Sequence, residues 1–179
     1  PTGMVYTREE MEGIARVIEK PPGLFIMSDE VYEHILFKGE HVSMASFDFI
    51  YDRVITVNAV SKAYAMTGWR IGYIGAPLWI AKACDKLQGQ FTSGACSIAQ
   101  RAALAALQQQ DSSGKLMRDA FLRRRDLICK LLKEIKGFIV RIPQGAFYVL
   151  PDISYYLGKS DGVTTIRTSD DLALWLLDK

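Results

Sequence analysis

Residues 54–75 read VITVNAVSKAYAMTGWRIGYIG, and this stretch decides the fold. Two apolar runs, 54–59 and 70–75, stand on either side of a ten-residue connector, 60–69. Each run is short, rich in β-branched or aromatic residues, and reads as a strand. A parallel crossover ordinarily takes a dozen residues or more, usually including a helix. This connector is shorter, so the two strands are expected to be antiparallel neighbours. The connector also carries Ser61, Lys62 and, just beyond it, Arg70. The question is what a lysine does at the mouth of a strand with a second cation close by.

Upstream, Thr7-Arg8-Glu9-Glu10 has the form of a capping box, with Tyr6 and Met11 placed as a hydrophobic staple. Met11, Ile14, Ala15 and Ile18 recur at helical spacing. The helix should stop by Lys20, because Pro21-Pro22-Gly23 follows. LFIM (24–27) then reads as a buried strand ending at Ser28-Asp29, parallel to 54–59.

Downstream the chain turns mostly helical. Residues 78–87 follow Pro77, expected at the first helical position. Residues 98–110 follow Ser97, expected as an N-cap. Residues 115–136 carry Leu116, Ala120, Leu127, Leu131 and Ile135 on one stripe, and Gly137 should stop them. FIVRI (138–142) and AFYVL (146–150) read as two strands with a short connection. SDDLALWLL (169–177) opens a last helix with Ser169 as the expected cap.

The chain has 179 residues, 49% hydrophobic and 23% charged, which fits a folded globular chain and excludes a disordered one. A formal net charge of +2 is too small to argue for nucleic acid. No apolar run approaches the ~20 residues of a membrane span. Cys84, Cys96 and Cys129 are widely spaced, imply no disulfide framework, and are expected as small buried hydrophobes in a reducing cytoplasm. His34 and His41 lack a completing ligand set, so no metal is expected.

A free lysine amine is neutral in only about one molecule in 2,500 at pH 7, a handicap of roughly 4.6 kcal/mol. A reactive lysine needs burial or a neighbouring cation to lift it. Arg70 could be that cation. Asp29 closes the first strand, and ligands of open α/β sheets bind outside the carboxyl ends of strands. Taken singly, Lys62 reads as a solvated side chain and Asp29 as a turn former. Tyr32 reads as a half-buried aromatic and Arg70 as a surface cation.

Taken together they are specific. PTG (1–3), SDEVY (28–32), SKAYAMTGWRIGY (61–73), TSGACSIAQ (92–100) and PQGAFYV (143–149) occur in one order and are spread along the chain from residue 1 to residue 149. That set resembles the class I/II pyridoxal-phosphate-dependent aminotransferases of fold type I, and within them the aspartate aminotransferase-like subgroup. The resemblance implies an α/β fold with a mostly parallel sheet, one antiparallel strand (70–75), and part of a smaller α+β C-terminal domain. It implies that 1–112 is the second half of the large cofactor-binding domain. Residues 113–179 would be an interdomain helix and an incomplete small domain.

The resemblance also implies roles. Lys62 forms the Schiff base with pyridoxal 5'-phosphate and moves the substrate proton. Asp29 pairs with the ring nitrogen, and Tyr32 donates to the ring oxygen. Ser61 and Arg70 hold the phosphate. Thr92-Ser93 resembles the segment that reaches the neighbouring subunit in homodimers of the family. The implied substrates are an amino acid and a 2-oxo acid, with neither nucleic acid nor membrane as partner. The family's glycine-rich phosphate loop, its ring-stacking aromatic and its substrate-gripping arginine have no counterpart here. The chain is therefore expected to be a central-to-C-terminal fragment, weak in cofactor binding by itself. The other readings on this scaffold are a β-lyase, a decarboxylase, an aminocyclopropane-carboxylate synthase-like enzyme, or an effector-binding domain of a transcription regulator. The last calls for a DNA-binding module, and Arg123-Arg124-Arg125 reads as a solvated or paired helix face instead.

Overall fold

The computed structural model describes residues 2–108 and 113–179. Thr7 opens helix α1 (Arg8–Glu19). Its hydroxyl accepts the Glu10 N–H, and the Glu10 carboxylate accepts the Thr7 N–H in return, which is the expected capping box. At the other end, the Arg53 guanidinium donates to the carbonyls of Ile18 and Glu19 in the last turn of the helix and to that of Pro21 just beyond it, at 2.7–3.1 Å. Ala15 and Ile18 pack with Met44, Phe47, Ile50 and Val54 in one apolar cluster.

Three strands form the main sheet in the order β1 (Ile26–Asp29), β2 (Val54–Ala59), β3 (Gly72–Gly75). β1 runs parallel to β2, with Asp29 opposite Val57. β3 returns antiparallel, with Ala59 opposite Gly72. The short connector therefore has the consequence drawn from its length. It holds one turn of helix, α2 (Val60–Ala63), and a 3-10 turn, Thr67–Trp69. The third strand starts at Gly72 and not at Arg70, because Arg70 sits at φ 55°, ψ 45°, left-handed geometry that no strand residue adopts. A Cβ on Gly72 would lie 3.2 Å from the Asn58 carbonyl oxygen, so glycine lets β3 close on β2 there. Val60 and Ile71 are buried with Ala99 and Ala103.

β1 corrects the expectation of a buried strand over 24–27. It begins two residues later, and Met27 is 73% exposed. Strand side chains alternate, and it is Ile26 that packs on the α1 cluster.

The described residues divide into two compact units, one of Met4–Ala120 with Gln144–Ala146, the other chiefly Phe121–Pro143 with Phe147–Lys179. In the first unit follow α3 (Leu78–Phe91) and α4 (Ser97–Gln108). Pro77 is the cap residue of α3 and not its first helical residue. Ser97 is likewise the first residue of α4 and not its cap, since the first helical bond runs from the Gln100 N–H to the Cys96 carbonyl. The expected helix residues 109–110, the expected domain limit at 112, and Pro1 of the PTG stretch lie outside the described residues.

α5 (Ser113–Glu134) runs across the division between the units and gives way to Gly137 at φ +91°, where a Cβ would overlap the Tyr155 ring. Its expected stripe is present, yet Leu116, Leu127, Leu131 and Ile135 are exposed. In the second unit β4 (Ile139–Val140) pairs antiparallel with β5 (Pro151–Asp152). Residues 146–150, expected as a strand, are not one. Ala146 takes φ 57°, and its N–H bonds to the Ile35 carbonyl at 2.8 Å, which draws Gln144–Ala146 onto the segment after β1. α6 (Ser169–Asp178) is capped by Thr168 and not Ser169: Thr168 and Asp171 form a capping box one residue earlier.

Of the three cysteines only Cys129 is buried; Cys84 and Cys96 are exposed, against expectation. Cys96 stands at the mouth of α4, where the N–H groups of Ala99 and then Ile98 hold its thiol below the usual range. Among the described residues no helix is long and apolar enough to cross a membrane.

Candidate active site

The parallel register of β1 on β2 sends both strands out at the same edge of the sheet. Asp29 is the last residue of β1. β2 runs two residues past the Asp29 partner, to Ala59, and α2 with Ser61 and Lys62 follows at once. The antiparallel return brings Gly72 opposite Ala59, so Arg70 stands at that edge too. Three separate segments therefore deliver Asp29, Ser61, Lys62 and Arg70 to one edge. Tyr32 lies in the turn directly beyond Asp29.

Each side chain has local support. Asp29 is exposed, and its Oδ1 accepts the Val31 N–H at 3.2 Å, closing the turn that follows the strand. Two overlapping turns continue it, Glu33 N–H to Glu30 carbonyl at 3.0 Å and Ile35 N–H to Tyr32 carbonyl at 2.9 Å. Ser61 and Lys62 are half-buried in α2. Arg70 donates through Nη1 to the Thr67 carbonyl at 2.7 Å, using one of five guanidinium donors. Thr92 is the C-terminal cap of α3, and Ser93 follows it at φ 60°.

The structure adds residues that sequence reasoning did not single out. Glu30, beside Asp29, is buried with a residual exposure of 7%. Its Oε1 accepts from Ser28 Oγ at 3.0 Å, Ser43 Oγ at 3.0 Å and the Met44 N–H at 3.1 Å. Its Oε2 lies 2.9 Å from His41 Nε2. The same imidazole nitrogen is 3.9 Å from Glu33 Oε2, and Glu33 Oε1 accepts from Asn58 Nδ2 at 2.6 Å. Burial pushes the Glu30 carboxyl up, and the donors His41, Met44 N–H, Ser43 and Ser28 together outweigh it, so Glu30 ends below its ordinary range. His41 is pushed up, first by its hydrogen bond to Glu30, against burial, with the charges of Glu30 and Glu33 adding. The signal for this pairing in the sequence was slight: an acid following the strand-end aspartate, and a histidine eleven residues on.

With that geometry goes a clear family relationship. The family described as aminotransferase class I and II matches residues 1–177, and the chain belongs to it. The chain is 47% identical along its whole length to the bifunctional aspartate aminotransferase and glutamate/aspartate-prephenate aminotransferase of Petunia hybrida, covering 38% of that protein. It is 44% identical to the aspartate/prephenate aminotransferase of Cereibacter sphaeroides, covering all of this chain and 46% of that one. The crystal structure of the aspartate aminotransferase from Rhizobium meliloti matches with a TM-score of 0.94 at 38% identity, over all of this chain and 46% of that one. The chain thus spans less than half the length of these relatives. The α/β fold is part of the fold type I architecture that they share.

Proposed function

We propose that the chain is the lysine-bearing central part of an aspartate aminotransferase-like enzyme, moving an amino group between an amino acid and a 2-oxo acid with pyridoxal 5'-phosphate. The observation that carries the reading is the common sheet edge reached by Asp29, Ser61, Lys62 and Arg70. The donor set fits that cofactor: an amine for its aldehyde, a carboxylate for its ring nitrogen, a phenol for its ring oxygen, and a hydroxyl and guanidinium for its phosphate. When bound, pyridoxal phosphate supplies an electron-withdrawing ring that accommodates the electron pair left at the substrate α-carbon.

The chain's own residues do the rest. Lys62 anchors the cofactor through Nζ and then carries a proton to and from the substrate α-carbon. Asp29 keeps a proton on the ring nitrogen by its charge. Tyr32 donates its hydroxyl to the ring oxygen. Ser61 and Arg70 bind the phosphate, Arg70 through its planar fork. The names of the relatives point to aspartate as amino donor. We assign 1–112 to the large cofactor domain and 113–179 to an interdomain helix and part of a small domain. In the full-length protein we expect a homodimer, with Thr92-Ser93 facing the neighbouring subunit. The three free cysteines suit the cytoplasm.

The test is chemical. The full-length protein, loaded with pyridoxal phosphate and reduced with borohydride, should carry the label on Lys62, the lysine in the SKAYAMTGWR context. Peptide mapping that found it on another lysine would overturn the assignment.

A further inference from the structure

Glu30 and Glu33 bracket Tyr32 in the turn after β1, and both carboxylates reach one imidazole. His41 Nε2 stands 2.9 Å from Glu30 Oε2 and 3.9 Å from Glu33 Oε2. From Glu33 the chain of contacts continues to Asn58 on β2 at 2.6 Å. The Asn58 Oδ1 in turn accepts the Ala59 N–H at 2.8 Å, at the last strand residue before the helix that carries Lys62. The turn with Asp29 and Tyr32 is thus tied by side chains, as well as by the sheet ladder, to the strand that leads into Lys62.

We propose that His41 is a positioning residue: by bridging Glu30 and Glu33 it holds the turn that carries Tyr32, and through Asn58 it sets that turn against the strand leading into Lys62. This rests on the cofactor reading above. Three observations on this structure support it. A buried carboxylate is costly unless fully hydrogen-bonded, and Glu30 has four partners, one on β1 and three in the stretch His41–Met44. Simply ending a strand needs none of them, since the Glu30 N–H already continues the ladder to the Val57 carbonyl at 2.9 Å. The network also includes Asn58, which donates to Glu33 and is not among the four side-chain and backbone partners of the Glu30 carboxylate. The ionisable groups around the bridge are Glu30, Glu33, His34 at 3.4 Å from Glu33, and Tyr73 on β3. The Tyr73 phenol is pushed up by burial first, then by the Glu33 charge and by Tyr64. A charged imidazole between the two carboxylates is the arrangement that these neighbours favour.

The test uses the full-length protein loaded with pyridoxal phosphate, as wild type, His41→Gln and Glu33→Ala. The readouts are the borohydride label on Lys62, the cofactor dissociation constant, and the pH midpoint of the visible band of the bound cofactor. Both variants should still label at Lys62. Their dissociation constants should rise roughly tenfold, the usual order for losing a charge-assisted hydrogen bond behind a binding group. The visible-band midpoint should move by about half a pH unit or more, because Asp29 and Tyr32 would no longer be held in place. Lower melting temperatures with wild-type affinity and wild-type midpoint would reduce the bridge to a fold contact and overturn the proposal. Should His41→Gln not fold, Glu33→Ala decides alone, since that position is partly exposed and leaves the Glu30–His41 pair intact. A wild-type protein that takes no label at Lys62 sinks both this proposal and the cofactor reading. A labelled wild type with unmoved variants sinks this one only.

Discussion

The Asp29 carboxylate accepts the Val31 N–H, so one of its oxygens closes the turn after β1. An asparagine keeps an acceptor oxygen in the same place and so keeps the turn. Asp29→Asn therefore separates the structural use of this residue from the charge that the cofactor reading needs. In the full-length protein the variant should fold as wild type and retain cofactor. Its turnover should fall by about a hundredfold or more, because a neutral amide does not hold a proton on the ring nitrogen. Near-normal kcat would remove Asp29 from that role. The arrival of Asp29, Lys62 and Arg70 at one sheet edge was legible in the sequence, because their neighbours form a restrictive pattern around short strands. Glu30 was not, because an acid beside an acid reads as solvent-facing, and its burial depends on Ser43 and Met44 thirteen and fourteen residues away.

Between elements, the Glu30–His41 pair joins the end of β1 to the segment that enters the 3-10 turn Met44–Ser46. His41 is raised, so it stabilises the fold fully below its unfolded value near 6.5 and loses that contribution as pH rises through its folded value. Glu30 is lowered, so its contribution is present above its unfolded value near 4.5 and is lost as pH falls through its folded value. The pair should therefore add most between about pH 4.5 and 6.5, by roughly 1–2 kcal/mol. Urea midpoints of wild type and His41→Gln, compared across pH, should lie farthest apart in that window and draw together as pH rises beyond it. A gap that widens from pH 6 to 9 would contradict the sign. At this same scale the sheet was readable, because strand direction followed from one connector length and the antiparallel return from it. The cap positions of α3, α4 and α6 each fell one residue off, since hydroxyls, a proline and a thiol compete at adjacent positions and composition does not rank them. The 146–150 segment was misread because its apolar run says nothing of the left-handed Ala146 or of the bond from its N–H to Ile35.

Among the described residues of the whole chain, many large apolar side chains face outward. Val163 is 93% exposed, and Phe91 and Leu177 are each 84% exposed. Leu116, Leu127 and Leu131 repeat at helical spacing along α5, Ile135 follows directly after its last residue, and all four are exposed. Solitary exposed apolar residues are ordinary, but runs along whole helix faces are surfaces that bind something. The relatives are more than twice as long as this chain, which gives such surfaces intramolecular partners in proteins of full length. Expressed by itself, the 179-residue chain should therefore associate. Sedimentation velocity at about 50 µM should show species larger than a monomer, growing with concentration, as exposed apolar faces do in that range. The same preparation should bind pyridoxal phosphate weakly and transaminate poorly, since positioning supplies much of the rate and the partners of these faces are missing. A monodisperse monomer with robust turnover would mean that the exposed helix faces need no covering, and that the residues at the sheet edge are sufficient for the reaction.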